Sequence, residues 1–167
     1  MFREYLLTSD ADLVVCTDAN DVLANPGTPE QVMKTLSDKL VVGGDTSCWT
    51  GEPCDQATLD VVTRIHTAHF DRVSKLEGGR MGYGAPFAFP NGGMYAGTRK
   101  AVLAYLDWAV ETMDHYERLG VLPQALRDLL PTVSKLSDQG VLVAYWLTHP
   151  ESVRVDVEGV LLSLIHI

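Results

Sequence analysis

Basic residues are scarce in this 167-residue sequence: 13 Lys and Arg stand against 22 Asp and Glu, a formal net charge of −9. So acidic a surface repels phosphate backbones, which excludes a broad electrostatic footprint for nucleic acid. No apolar run reaches the ~18 residues that a membrane-spanning helix needs. Three cysteines, Cys16, Cys48 and Cys54, are too few for a disulfide scaffold. Cys48 and Cys54 can close a small loop in an oxidising compartment or stay as thiols, and thiols are expected. No basic-then-apolar leader follows Met1. Internal repeats, linkers and charge runs are also missing. With 46% hydrophobic and 21% charged residues, disordered and collagen-like classes are excluded. One α/β domain is expected.

What is present begins with Leu13-Val14-Val15-Cys16-Thr17, a short apolar and β-branched run that ends abruptly in Asp18. Such runs suit a strand buried on both faces of a sheet. Thr28-Pro29-Glu30-Gln31 carries the N-cap, first-turn proline and capping-box signals of a helix over residues 28–37. Leu40-Val41-Val42 is a second buried run, stopped by Gly43-Gly44. Strand, helix and strand in about 30 residues make a βαβ unit, so the two strands are expected to be parallel neighbours. Residues 57–77 show helical spacing, and the Gly- and Pro-rich stretch 78–90 is expected to be irregular. Gly92 to Ala96 has the length of a short strand. Thr98 caps an amphipathic helix whose expected stripe is Val102, Leu103, Leu106, Ala109, Val110 and Met113. A weak helix is expected between Leu119 and Lys135. Ser137 or Asp138 opens a further helix that Pro150 stops, and residues 152–157 alternate as a strand does.

Chemistry concentrates in Thr17-Asp18-Ala19-Asn20-Asp21-Val22. Two carboxylates three residues apart follow the C-terminal end of a buried strand, where open α/β sheets place their ligands. Oxygen donors on a tight turn suit a hard divalent cation, and the same residues can instead form an Asx turn. Phosphatases of the haloacid dehalogenase type also place a carboxylate after such a strand, as Asp-x-Asp-Gly-(Thr/Val)-Leu. Here Asn20 and Asp21 occupy the second Asp and the Gly, so that pattern fails at both diagnostic positions.

Three further islands follow in order: Cys48-Trp49, Asn91-Gly92-Gly93-Met94-Tyr95-Ala96-Gly97 and Ser137-Asp138-Gln139. Together with Asp18, Asp21 and Val22 the set resembles the glycosyltransferase domain of the procollagen lysyl hydroxylase and collagen galactosyltransferase group. The likeness covers about Leu13 to Asp156. Thr50 stands where that group has a Pro, Gly92 and Met94 to Ala96 depart from its Gly-rich segment, and Ser137 replaces one of its acids. The 57–77 helix has no counterpart there and reads as an insertion.

The resemblance implies a glycosyltransferase-A-like, Rossmann-like fold: a mainly parallel sheet flanked by helices, incomplete at both ends. It implies a metal-dependent enzyme that moves a hexose from a UDP-sugar to an acceptor hydroxyl on a protein or glycan, with Mn²⁺ or Mg²⁺ as cofactor. Collagen hydroxylysine is that group's example of an acceptor, and the secretory pathway is its compartment. Asp18 and Asp21 become the metal ligands, Asp138 and Asn91 the catalytic residues, and Trp49, Gly92, Gly93 and Gln139 the donor-binding set. The group's uridine-binding strand would lie before this sequence and its metal-ligating His after Asp156, so the chain alone is expected to be inactive. Residues 162–167, LSLIHI, resemble translated adapter sequence and are set apart as a non-native tail, with a genuine terminal strand as the alternative, leaving 1–161 as a partial domain.

Each of these residues also has a plainer reading. Trp49 can be loop packing, Asn91 a turn residue, Asp138 a helix cap, and His66 and His69 a solvated helical face. Loss of the acid at Ser137 also suits a non-catalytic binding or scaffold module of the same fold.

Overall fold

The computed structural model describes residues 2–18, 22–23, 38–45, 48, 54–61, 64, 89–130, 136–156 and 163–164. In chain order the elements are α1 (Phe2–Thr8), β1 (Leu13–Thr17), β2 (Val22–Leu23), β3 (Leu40–Asp45), β4 (Phe89–Thr98), α2 (Arg99–Leu119), α3 (Gln124–Leu129), α4 (Asp138–Thr148), β5 (Val153–Asp156) and β6 (Ser163–Leu164). Residues 56–61 are helical. The expected helix over 28–37 and most of that over 57–77 lie outside the described residues.

The protein is α/β, with a four-stranded mixed sheet of order β1-β4-β3-β5 flanked by helices. Strand β4 runs antiparallel to both β1 and β3, and only β3 and β5 pair in parallel. This corrects two expectations. The sheet is mixed rather than mainly parallel, and β1 and β3, although they run the same way, are separated by β4. Short apolar runs carry no information on partner choice, so a later strand could insert between them. That strand, FPNGGMYAGT, is poor in strand-forming residues and begins within the stretch expected to be irregular. Its pairing comes from two neighbours, not from local propensity. A separate pair joins β2 to β6, with Val22 opposite Leu164.

Strand β3 is buried along nearly its whole length, as its apolar run requires. Strand β1 is not: it lies at the sheet edge, and Val15 is 54% exposed. Val14, Leu40, Val42, Val153 and Val155 form one core with α2 and α4. Every residue of α4 from Gly140 to Leu147 is buried, the pattern of a helix enclosed on all sides. Helix α2 is capped by Thr98, whose side chain accepts from the Ala101 N–H, and ends at Gly120 in the left-handed region. It buries Val102, Tyr105 and Thr112, while Val110, expected on the buried stripe, is exposed. No helix among the described residues is long and apolar enough to cross a membrane.

Candidate functional site

The strand directions bring one end of the sheet together. The carboxyl ends of β1, β3 and β5 and the amino end of β4 meet there, with Asp45 opposite Phe89 and Gly43 between Asn91 and Asp156. Register fails at this end: Val42 faces Tyr95 and the next β3 residue, Gly43, faces Asn91. Gly92, Gly93 and Met94 are therefore a bulge on β4 with no β3 partners, a device that re-aims backbone beside functional sites.

Hydrogen bonds show where the bulge goes. The Asp18 N–H donates to the Gly93 carbonyl at 2.7 Å, so the chain leaving β1 is tied to the bulge. The Gly92 N–H donates to Gln139 Oε1, and Gln139 Nε2 donates to the Pro90 carbonyl at 2.6 Å. Gln139 thus brackets β4 with both polar atoms of its carboxamide. Asn91 Oδ1 accepts from the Gly93 N–H at 2.7 Å, and Asn91 Nδ2 donates to Asp45 Oδ2 at 2.9 Å.

Close approach explains the two glycines. A Cβ on Gly93 would lie 2.8 Å from Asp18 Oδ2 and 3.0 Å from Asn91 Oδ1. One on Gly92 would lie 2.9 Å from Gln139 Oε1 and 3.2 Å from the Gln139 Cα. Any side chain would push the bulge off Asp18 or off α4.

At the start of α4, Ser137 is the N-cap: its hydroxyl accepts from the Gly140 N–H at 3.0 Å. This settles which residue caps. Asp138 is left in the first turn, exposed, with Oδ1 accepting from the Gln139 N–H at 2.8 Å. A carboxylate there is favoured by the helix dipole.

An aromatic row runs from β4 along α2 to the C-terminal end of α4. Tyr95 meets Tyr105 edge-on at 5.4 Å, Tyr105 meets Tyr145 at 5.2 Å, and Tyr145 stacks on His149 at 4.6 Å. Burial pushes Tyr105 well above the ordinary phenol range, and the negative charge of Asp138 adds to the shift. Burial likewise raises Tyr95, which also hydrogen-bonds Cys16, and it raises the Cys16 thiol. These groups stay protonated at neutral pH.

Of the residues singled out in the sequence, the structure brings together Asp18, Asn91, Gly92, Gly93, Asp138 and Gln139. Asp21 and Trp49 lie outside the described residues, as do His66 and His69. Among the described residues no group of three His, Cys, Asp or Glu side chains is placed to hold a metal. Cys48 and Cys54 form a disulfide, which corrects the expectation of thiols; the Cys54 N–H also donates to the Cys48 carbonyl at 3.2 Å. Sequence reading missed Asp45, because Gly43-Gly44 separates it from the apolar run Leu40-Val41-Val42, whereas Asp18 follows its run directly. Asp156, buried at the end of β5, completes the row of strand-end carboxylates. No protein-family model, curated protein or solved structure matches the chain, so its functional reading rests on these residues and their geometry.

Proposed function

We propose that the chain is the core of a metal-dependent glycosyltransferase that moves a hexose from a UDP-sugar to an acceptor hydroxyl. The observation that carries this reading is the hydrogen-bonded meeting of Asp18, Asn91–Gly93 and Asp138–Gln139, three islands far apart in sequence, at one end of the sheet. Ligands of open α/β sheets bind at that end, which also supports a glycosyltransferase-A-like fold for the chain.

Asp18 and Asp21 would hold Mn²⁺ or Mg²⁺, since carboxylate oxygens match a hard cation and Asp18 is exposed to receive one. When bound, the ion supplies neutralisation of the charge that develops on a departing diphosphate. Asp138, relieved of capping by Ser137, orients or takes a proton from a sugar or acceptor hydroxyl. Asn91 keeps one N–H and one lone pair beyond its two internal bonds, enough to contact donor or acceptor. Gly92 and Gly93 admit a close backbone approach, Gln139 holds them in place, and Trp49 offers an apolar face for stacking. The resemblance makes a hydroxylysine-type hydroxyl the first acceptor to try.

One observation favours a second reading, a non-catalytic module of the same fold. Both polar atoms of Gln139 and both of Asn91 already serve intramolecular bonds, as a structural clip would require. Calorimetry of UDP with and without Mn²⁺ separates the two. The enzyme reading predicts weak binding of either alone, mutual strengthening together, and loss of that coupling in Asp21→Asn without loss of fold. Unchanged Mn²⁺-dependent UDP binding in Asp21→Asn overturns the metal assignment, and no coupling in the native chain favours the module.

A further inference from the structure

We propose that Asp45 is a positioning residue for this site, an inference that rests on the donor-site reading above. It would fix the carboxamide of Asn91 and, through it, the β4 bulge against Asp18. A carboxamide has two nearly isosteric ends, and its neighbours decide which faces where. The Asp45 carboxylate only accepts, so the end of Asn91 that faces it at 2.9 Å is the donor Nδ2. That choice turns Oδ1 toward the Gly93 N–H, which donates at 2.7 Å. The flipped carboxamide would set an oxygen against a carboxylate oxygen and an NH₂ against an N–H, two mismatches at once.

The same peptide segment then acts on the first strand, because the Gly93 carbonyl accepts from the Asp18 N–H at 2.7 Å. Asp18 Oδ2 and Asn91 Oδ1 also crowd the space that a Cβ on Gly93 would take, so the two side chains meet beside the bulge. A relay runs Asp45, Asn91, Gly93, Asp18, from the end of β3 across β4 to the end of β1. The relay thereby spans the register break between β3 and β4 and ties it to the end of β1. A charged acceptor makes the first bond of the relay a strong one.

The test uses the full chain in four variants: Asp45→Ala, Asp45→Asn, Asn91→Asp, and the exchange D45N with N91D. Two readouts are taken, hydrogen exchange at the Gly93 amide and calorimetric affinity for UDP in saturating Mn²⁺. Circular dichroism checks that each variant is folded. Losing one bond to a charged group predicts about tenfold faster Gly93 exchange and about tenfold weaker Mn²⁺-dependent UDP binding in Asp45→Ala. Asp45→Asn, whose carbonyl accepts the same bond, stays close to the native chain in both. Asn91→Asp sets two carboxylates face to face and loses both properties. The exchange restores Gly93 protection, because the carboxamide at 45 now donates to a carboxylate at 91 that still accepts from Gly93, while UDP affinity stays low because position 91 has lost its spare N–H. A general loss of stability could not be repaired by that swap.

Should Asp45→Ala not fold, the near-isosteric Asp45→Asn, the Asn91→Asp single variant and the exchange decide alone. Native Gly93 protection in Asn91→Asp, or a folded exchange variant no better protected there than Asn91→Asp, overturns the proposal. Absence of Mn²⁺-dependent UDP binding in the native chain overturns the donor-site reading instead, and the Gly93 exchange series then judges the relay by itself.

Discussion

Replacing Gly92 by Ala tests the bracket between β4 and α4. The new Cβ would lie 2.9 Å from Gln139 Oε1 and 3.2 Å from the Gln139 Cα. Gln139 cannot swing aside freely, because its Oε1 accepts from Gly92 and its Nε2 donates to Pro90. Relief therefore needs either a shift of α4, buried from Gly140 to Leu147, or loss of those two bonds. Overpacking costs about 1–3 kcal/mol and each lost bond about 1 kcal/mol. Against this, Ala gains roughly 0.4–1 kcal/mol by restricting the unfolded chain. The net expectation is a loss of about 1–1.5 kcal/mol, a fall in melting temperature of roughly 2–6 °C for a domain of this size. Gly120→Ala is the comparison: its φ is 68° and nothing lies within 4 Å, so only left-handed strain of about 1 kcal/mol applies. Thermal melts of Gly92→Ala, Gln139→Ala and the double variant complete a cycle. Removing the Gln139 side chain should recover about 1 kcal/mol of the Gly92→Ala cost. Strict additivity, or a Gly92→Ala loss below about 0.5 kcal/mol, would mean that Gln139 does not clamp the bulge.

Ser137→Ala should cost about 1 kcal/mol in denaturant melts, since it removes the α4 cap while leaving Asp138 in place. Replacing Cys48 and Cys54 by Ser should cost about 2 kcal/mol by loop-closure entropy, a small value because only six positions separate the two cysteines. Tyr95 and Tyr105 have folded-state values raised above the ordinary phenol value, chiefly by burial, so the folded chain holds their protons more tightly than the unfolded one. Their contribution is complete below about pH 10 and is lost as pH climbs from there toward their folded values. Tyrosinate absorbance should show both ionising late, and Tyr95→Phe should make the alkaline loss of stability shallower.

Elements with local signals were legible. Thr98 caps α2 as its sequence position suggests, and Ser137, one of two candidates there, caps α4. The run Leu40-Val41-Val42 is a strand buried on both sides. Partner choice was not legible, because alternating or apolar runs fix a strand's faces without naming its neighbours. Strand β4 was hardest: Pro90 and three glycines argue against a central strand, and the bulge they form has a purpose only once Asp18 and Gln139 are beside it. Asp45 ends β3, yet Gly43-Gly44 in front of it reads as the end of the strand. The disulfide depends on the approach of two Cα atoms to 5.5 Å, which cysteine spacing alone does not reveal.

In the proposed function, Asp18, the β4 bulge and the start of α4 form one metal-dependent donor site. Paramagnetic broadening of amide resonances by Mn²⁺ in the presence of UDP tests it directly, with Mg²⁺ and UDP as the diamagnetic reference. The amides of Asp18, Gly93 and Gln139 should broaden first and together, while Thr98 and Arg99 at the opposite end of β4 stay sharp. Asp18→Asn should abolish the pattern. Uniform broadening over the acidic surface, or a focus away from these three amides, would contradict it.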